Sequence, residues 1–184
     1  MASSIFTPEA SLLLVVDIQE RLWLHIANRE QVRDRSAIMI QGAHLLGVPV
    51  IVSEQYPKGL SPTIAAVNEV RPPEAGQCSK MAFGCLADPP LARMVEESAR
   101  RQLVICGIET HVCVLQTALD ALQRGFTVGV VADAVGSRDE ANRQFGLARM
   151  RDAGAVILTS EMILFEWMRT AQHPAFKSVS ALVK

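Results

Sequence analysis

A chain of 184 residues that is 49% hydrophobic is long enough to bury one sizeable core, and it reads as a single domain over residues 1–184. Its formal charge of -1 offers no electrostatic footprint for nucleic acid or for an anionic membrane surface. No apolar stretch approaches the roughly 20 residues that span a bilayer, and residues 1–8 lack the basic and apolar regions of a secretory signal, so a cytoplasmic location is expected.

In chain order, the first apolar run covers residues 12–16 and leads directly into Asp17. Short, nearly continuous apolar runs are what strands buried on both faces look like. A carboxylate at the edge of such a strand is partly desolvated, which favours use as a base; the other reading is a cap on the following turn, and the residue alone leaves the two even. A helix is expected around residues 31–46, then a second strand at 48–52 that ends on Ser53 and Glu54. Residues 54–88 are the least regular region, punctuated by Pro57, Gly59, Pro62, Pro72, Pro73, Gly76 and Gly84, with room for a short third strand near 77–81. Long loops in compact domains often carry function.

A helix around residues 91–99 precedes the fourth run, 103–106, after which comes Gly107-Ile108-Glu109-Thr110-His111-Val112-Cys113. Val112, Leu115, Ala118, Leu119 and Leu122 share one helical face, and Gly125 stops that helix. The fifth run, 128–132, ends on Asp133, and Ser137-Arg138-Asp139-Glu140 reads as a capping box opening a helix with Ala141, Phe145 and Ala148 on its core face. A last run at 155–158 precedes the apolar stretch 162–168, which fits either core packing or a subunit interface.

Strand and helix alternate through most of the chain, which implies right-handed crossovers and a doubly wound, mainly parallel six-stranded sheet in a three-layer α/β/α, Rossmann-like fold. Ligands bind such sheets beyond the carboxyl ends of the strands, where the winding reverses. That rule selects Asp17, Ser53, Glu54, residues 107–113 and Asp133. Cys113, in the first turn of a helix, faces free backbone N–H groups and the positive end of the helix dipole, both of which favour a thiolate. Cys78, Cys85 and Cys106 read as free thiols, Cys106 as a small buried hydrophobe, and the histidines show no zinc-ligand spacing. No GxGxxG or GxxxxGK[ST] motif occurs, so dinucleotide and P-loop phosphate cradles are not supported, and there is no GxSxG elbow; no cofactor is expected. An acyl-transfer enzyme built on these residues uses Cys113 as nucleophile, Asp17 as base, and Lys58 or Lys80 as the cation.

Several motifs together resemble the isochorismatase-like cysteine hydrolases, a superfamily that includes nicotinamidases and N-carbamoyl amidohydrolases. They are Val16-Asp17-Ile18-Gln19, Ser79-Lys80-Met81-Ala82-Phe83, residues 107–114 and Ala132-Asp133-Ala134-Val135-Gly136-Ser137-Arg138. Ser53-Glu54-Gln55-Tyr56-Pro57-Lys58-Gly59-Leu60, Ala148-Arg149-Met150-Arg151 and Thr159-Ser160-Glu161 look like the small isochorismatase-domain-containing proteins. The resemblance implies Cys113 as nucleophile, Asp17 as its proton acceptor, Lys80 as electrostatic partner, and a non-proline cis peptide at Ile108-Glu109. It further implies an oxyanion hole from the backbone N–H groups of Glu109 and Cys113. The expected activity is hydrolysis of a small amide-like, ester or carbamate substrate through a thioester-type intermediate.

Nicotinamidases carry an Asp-x-His metal motif after the second strand, where this chain has Ser53-Glu54-Gln55-Tyr56; no metal site is expected, and Glu54 reads as a hydrogen-bonding loop residue. Leu22, Trp23, Tyr56, Met81 and Phe83 are candidates for an apolar pocket wall, with Gln19, Thr110 and His111 nearby and the Thr110 hydroxyl capping the helix of Cys113. A homo-oligomer is expected, with a small molecule, and neither nucleic acid nor membrane, as the other partner. Two alternatives stay open: a non-catalytic binding or redox-responsive module, and a non-covalent vinyl ether hydrolase of the isochorismatase type, whose members lack the cysteine.

Overall fold

Residues 5–184 are described by a computed structural model; residues 1–4 of the opening segment read above lie outside the described residues. Six strands, β1 (Ser11–Val16), β2 (Val50–Gln55), β3 (Gly76–Lys80), β4 (Gln102–Ile108), β5 (Thr127–Gly136) and β6 (Val156–Leu158), form one sheet in the order β3-β2-β1-β4-β5-β6. Every pairing is parallel. Winding reverses between β1 and β4, so the carboxyl ends of those two strands frame the switch point.

The longer helices are α2 (Arg29–Leu45), α5 (Pro89–Glu97), α6 (Leu115–Gln123), α7 (Glu140–Asp152), α8 (Ser160–Met168) and α9 (Phe176–Leu182). Single turns α1 (Glu20–Trp23), α3 (Pro57–Leu60) and α4 (Ala65–Asn68) lie in the connections. Leu13, Val15, Val104 and Cys106 pack with Met39 and Ile40 of α2 and Leu164 and Trp167 of α8 on one face of the sheet. Leu12, Leu14, Leu103 and Ile105 pack with Leu91 and Val95 of α5, Ala118 of α6 and Met150 of α7 on the other. Alternation along each strand thus feeds two separate cores, which explains why the runs are apolar without interruption. Among the described residues no helix is long and apolar enough to cross a membrane.

Boundaries differ from the sequence expectation where polar residues find partners. β2 begins at Val50 because Pro49 has no N–H, and it runs on through Glu54 and Gln55, which pair with Ser79 and Lys80 of β3. β5 extends to Gly136 through an irregularity between Val130 and Val135, so Asp133 lies inside the strand rather than at its end. There its carboxylate accepts hydrogen bonds from the N–H (2.7 Å) and hydroxyl (2.7 Å) of Ser160, anchoring α8 and leaving the switch point to other residues. Asp139, not Ser137, caps α7, accepting from Ala141 N at 2.7 Å.

The expected core face of α7 is overturned. Ala141, Phe145 and Ala148 face solvent, Phe145 with 75% exposure, while Gly146 and Met150 face inward. Helical period alone does not say which stripe of a weakly amphipathic helix meets the sheet; here the approach of Gly146 to a neighbouring turn decides it. In the terminal stretch, Ile163, Leu164, Trp167 and Met168 are core, and Met162 and Phe165 are exposed.

All four cysteines are free thiols. Burial pushes Cys85 up to about 11 and Cys106 up to about 12 from the ordinary 9.0. Unfolding therefore releases thiols that ionise near pH 9, whereas the folded thiols keep their protons. This stabilisation is complete below pH 9 and is lost as pH rises through the folded values, at about 1.4 kcal/mol per pH unit for each thiol. Urea unfolding followed between about pH 8 and pH 11 should show that decline, and Cys106→Ala should flatten it by one thiol's share; a parallel decline in the variant would refute the assignment.

Candidate active site

The carboxyl end of β1 delivers Asp17, whose φ of 53° turns the chain sharply out of the strand. Across the switch point, Gly107 of β4 lies opposite Val16. A Cβ at Gly107 would stand 2.1 Å from the Val16 carbonyl oxygen, and its φ is +119°, so only glycine allows the two strands to approach here. The next peptide bond, Ile108-Glu109, is cis. From there the chain enters a wide π-type turn, Thr110–Val114, in which the N–H groups of Val112 (3.1 Å) and Val114 (3.2 Å) both donate to the Glu109 carbonyl. π-Type turns inside helices recur at functional sites. Cys113 sits on this turn, ahead of α6 rather than in its first turn.

Asp17, Lys80 and Cys113 come together from β1, β3 and the turn after β4. Lys80 and Asp17 form an ion pair at 2.7 Å, with both side chains fully buried. Lys80 Nζ also donates to Gln55 Oε1 (2.7 Å) and to the carbonyls of Phe83 (3.0 Å) and Ala82 (3.2 Å). The other Asp17 oxygen accepts from the Ser53 hydroxyl at 2.7 Å. Desolvation pulls the Lys80 pKa down, but the Asp17 charge and the neighbouring thiols outweigh it and leave the ammonium above its ordinary 10.5.

Cys113 is 6% exposed. Burial pushes its thiol well up, the Asp17 charge adds to that, and Lys80 opposes it. Desolvation and a neighbouring carboxylate thus both oppose the thiolate expected from the helix dipole. The thiol is thereby held toward its protonated form beside the Asp17 side chain.

Ser53, which the switch-point rule placed at this edge, is brought to Asp17, whereas Gln55 was not expected in the site. Its signal was weak, an amide on the polar end of an otherwise apolar strand. Gln19 is fully buried and clamps the loop, donating to the carbonyls of Gln55 (3.0 Å) and Ser61 (2.7 Å) while its own oxygen accepts from Gln55 N (2.7 Å). These bonds make it a clamp on the loop. Glu54 makes the hydrogen bonds expected of it, accepting from the N–H and hydroxyl of Thr63, both at 2.7 Å, but does so from within β2 rather than from a loop. Among the described residues no cluster of three or more histidine, cysteine, aspartate or glutamate side chains is placed to hold a metal ion.

The expected helix cap at Thr110 is also overturned. Its hydroxyl is buried without a hydrogen-bond partner among the described residues, because the wide turn spends its donors on the Glu109 carbonyl instead. His111 Nδ1 meets the Ser137 hydroxyl at 3.0 Å, and Glu109 accepts from the N–H (3.0 Å) and Nε (3.1 Å) of Arg138. Leu22 and Trp23 pack on the core, with the Trp23 ring under Arg29. Tyr56, Met81 and Phe83 are exposed. A cavity of about 450 Å³ is lined by Tyr56, Lys58, Lys80, Met81 and Asp88, among others, and holds neither Leu22, Trp23 nor Phe83.

A doubly wound parallel sheet with a buried acid, lysine and thiol at its switch point defines an α/β protein with a hydrolase-like fold. The isochorismatase domain model matches residues 11–162, and the chain belongs to that family. It is 41% identical over 180 residues to isochorismatase domain-containing protein 2A of Mus musculus, covering 96% of this chain and 84% of that protein. The solved structure of a protein described as the MAR1 ribonuclease of Caenorhabditis elegans is 36% identical with a TM-score of 0.93, over 98% of this chain and 92% of that one. The YcaC gene product of Escherichia coli, described as an octameric hydrolase of unknown specificity, has a TM-score of 0.92 at 23% identity, over 99% and 90% of the two chains; that likeness is one of fold.

Proposed function

We propose that this chain is a cysteine-dependent hydrolase of small amide-like, ester or carbamate substrates. The observation that carries the reading is the buried Asp17–Lys80 pair at 2.7 Å beside a thiol whose proton is held by burial and by that same carboxylate. In the first half-reaction the Cys113 sulfur attacks the substrate carbonyl carbon as its proton passes to Asp17. The tetrahedral oxyanion is held by the N–H groups of Glu109 and Cys113. Its collapse breaks the bond to the leaving group, which takes the proton from Asp17, and leaves an acyl thioester on Cys113. In the second half-reaction Asp17 takes a proton from water, the hydroxide adds to the thioester carbonyl, and the carbon–sulfur bond then breaks as Asp17 returns that proton to the sulfur, releasing the acid and restoring the thiol. Lys80 stays an ammonium throughout and holds the Asp17 side chain in place by the ion pair.

The protein works as a homo-oligomer in this reading, in keeping with the octamer described for the Escherichia coli relative. A ribonuclease reading, raised by the Caenorhabditis elegans relative, draws no support from a formal charge of -1 or from a nucleophile that is 6% exposed. The test is a panel of small amides, carbamates and activated esters with a short RNA included, followed by intact mass and peptide mapping. Turnover with an acyl adduct on Cys113 is expected. RNA cleavage, or turnover with no adduct trapped on Cys113, overturns the proposal.

A further inference from the structure

We infer that Gly146 is a positioning residue for the nucleophile, setting how closely α7 seats against the turn that carries Cys113; this rests on the hydrolase reading above. Gly146 lies in the middle of the 13-residue α7, where glycine costs roughly 0.5–1 kcal/mol relative to alanine. Its φ is not positive, so the backbone does not require it. Space does. A Cβ at this position would meet the His111 Cα at 3.1 Å, the His111 nitrogen at 3.2 Å and the Thr110 carbonyl oxygen at 3.2 Å. All three are backbone atoms of the Thr110–Val114 turn, which cannot rotate away as a side chain could.

The same turn is tethered to the segment entering α7 at two further points. Glu109 is held by Arg138, and His111 by Ser137, which is itself fully buried. On the helix side, Met150 is buried in the core and Arg143 donates to the carbonyls of Val135 and Ala132, so α7 is not free to retreat. A methyl at Gly146 therefore displaces the turn by a few tenths of an ångström, and Cys113, two residues beyond His111, moves with respect to Asp17 and Lys80. Misplacements on the 1 Å scale cost on the order of a hundredfold in rate, so about tenfold is expected here.

The test uses p-nitrophenyl acetate as the acyl donor, with the acetyl adduct on Cys113 followed by intact mass. Gly146→Ala should slow acylation about tenfold with KM within about twofold, while its thermal midpoint changes little, the gain in helix propensity offsetting the strain of the displaced turn. Ala148→Gly, on the exposed face of the same helix, should do the reverse, lowering the midpoint and leaving acylation unchanged. If Gly146→Ala does not accumulate as folded protein, Ser137→Ala carries the test, with acylation expected to slow several-fold. Wild-type acylation on Cys113 with unchanged acylation in whichever of these variants is folded overturns the positioning role alone. Absence of any Cys113 adduct in the wild type overturns the hydrolase reading and the positioning role with it.

Discussion

Cys113→Ala and Asp17→Asn each lower turnover of an activated acetate ester by on the order of a thousandfold or more. The two variants fail differently. Without the sulfur no acyl adduct forms at all, whereas Asp17→Asn retains the thiol but leaves its proton without an acceptor, so the adduct accumulates slowly. Cys113→Ala removes one buried atom and costs stability on the order of 1 kcal/mol, which leaves a folded protein for the comparison. Asp17→Asn also leaves the Lys80 ammonium buried without its counter-charge, so its thermal midpoint should fall as well. Full turnover by Cys113→Ala would exclude the covalent mechanism, and wild-type adduct rates in Asp17→Asn would exclude Asp17 as the proton acceptor.

Lys80→Met is expected to be the most destabilising single change in the site. It leaves the Asp17 carboxylate buried without a cation and removes the donor to Gln55, Ala82 and Phe83. Breaking a buried pair from one side costs about 3–5 kcal/mol. That is a large share of the 5–15 kcal/mol that typically holds a domain together. The double change Asp17→Asn with Lys80→Met removes both charges and should recover part of the lost stability while activity stays absent. Chemical denaturation of the two singles and the double measures this, and a strictly additive result would mean the pair is not coupled. Because the folded Lys80 holds its proton above the ordinary 10.5, its contribution is complete below that pH and is lost only as pH rises further.

Much of the architecture was legible from local pattern. The apolar runs gave the strands within a few residues, Asp17 stood at the end of the first of them, and Cys113 stood after the fourth. Family resemblance singled out Lys80 over Lys58, which is exposed on α3. The supporting residues were harder to read. Gln55 looks like the polar fringe of a strand until β3 brings Lys80 alongside it. Gly146 looks like an imperfection in a helix until the turn it touches is known. Ala141, Phe145 and Ala148 make a plausible inner stripe that the packing turns outward.

The sequence by itself determined the alternation of strand and helix, the two-faced burial of the sheet and the chemical types available at its carboxyl edge. Those properties follow from local periodicity and side-chain chemistry, which a linear string carries in full. Only the tertiary structure decided that Asp17 and Lys80, 63 residues apart, meet at 2.7 Å, and that Gly107 and Val16 touch backbone to backbone. It also decided the state of the thiol. A helix dipole can be read from neighbours in the chain, but desolvation is set by everything packed around an atom, and at Cys113 it is the first cause that pushes the thiol up.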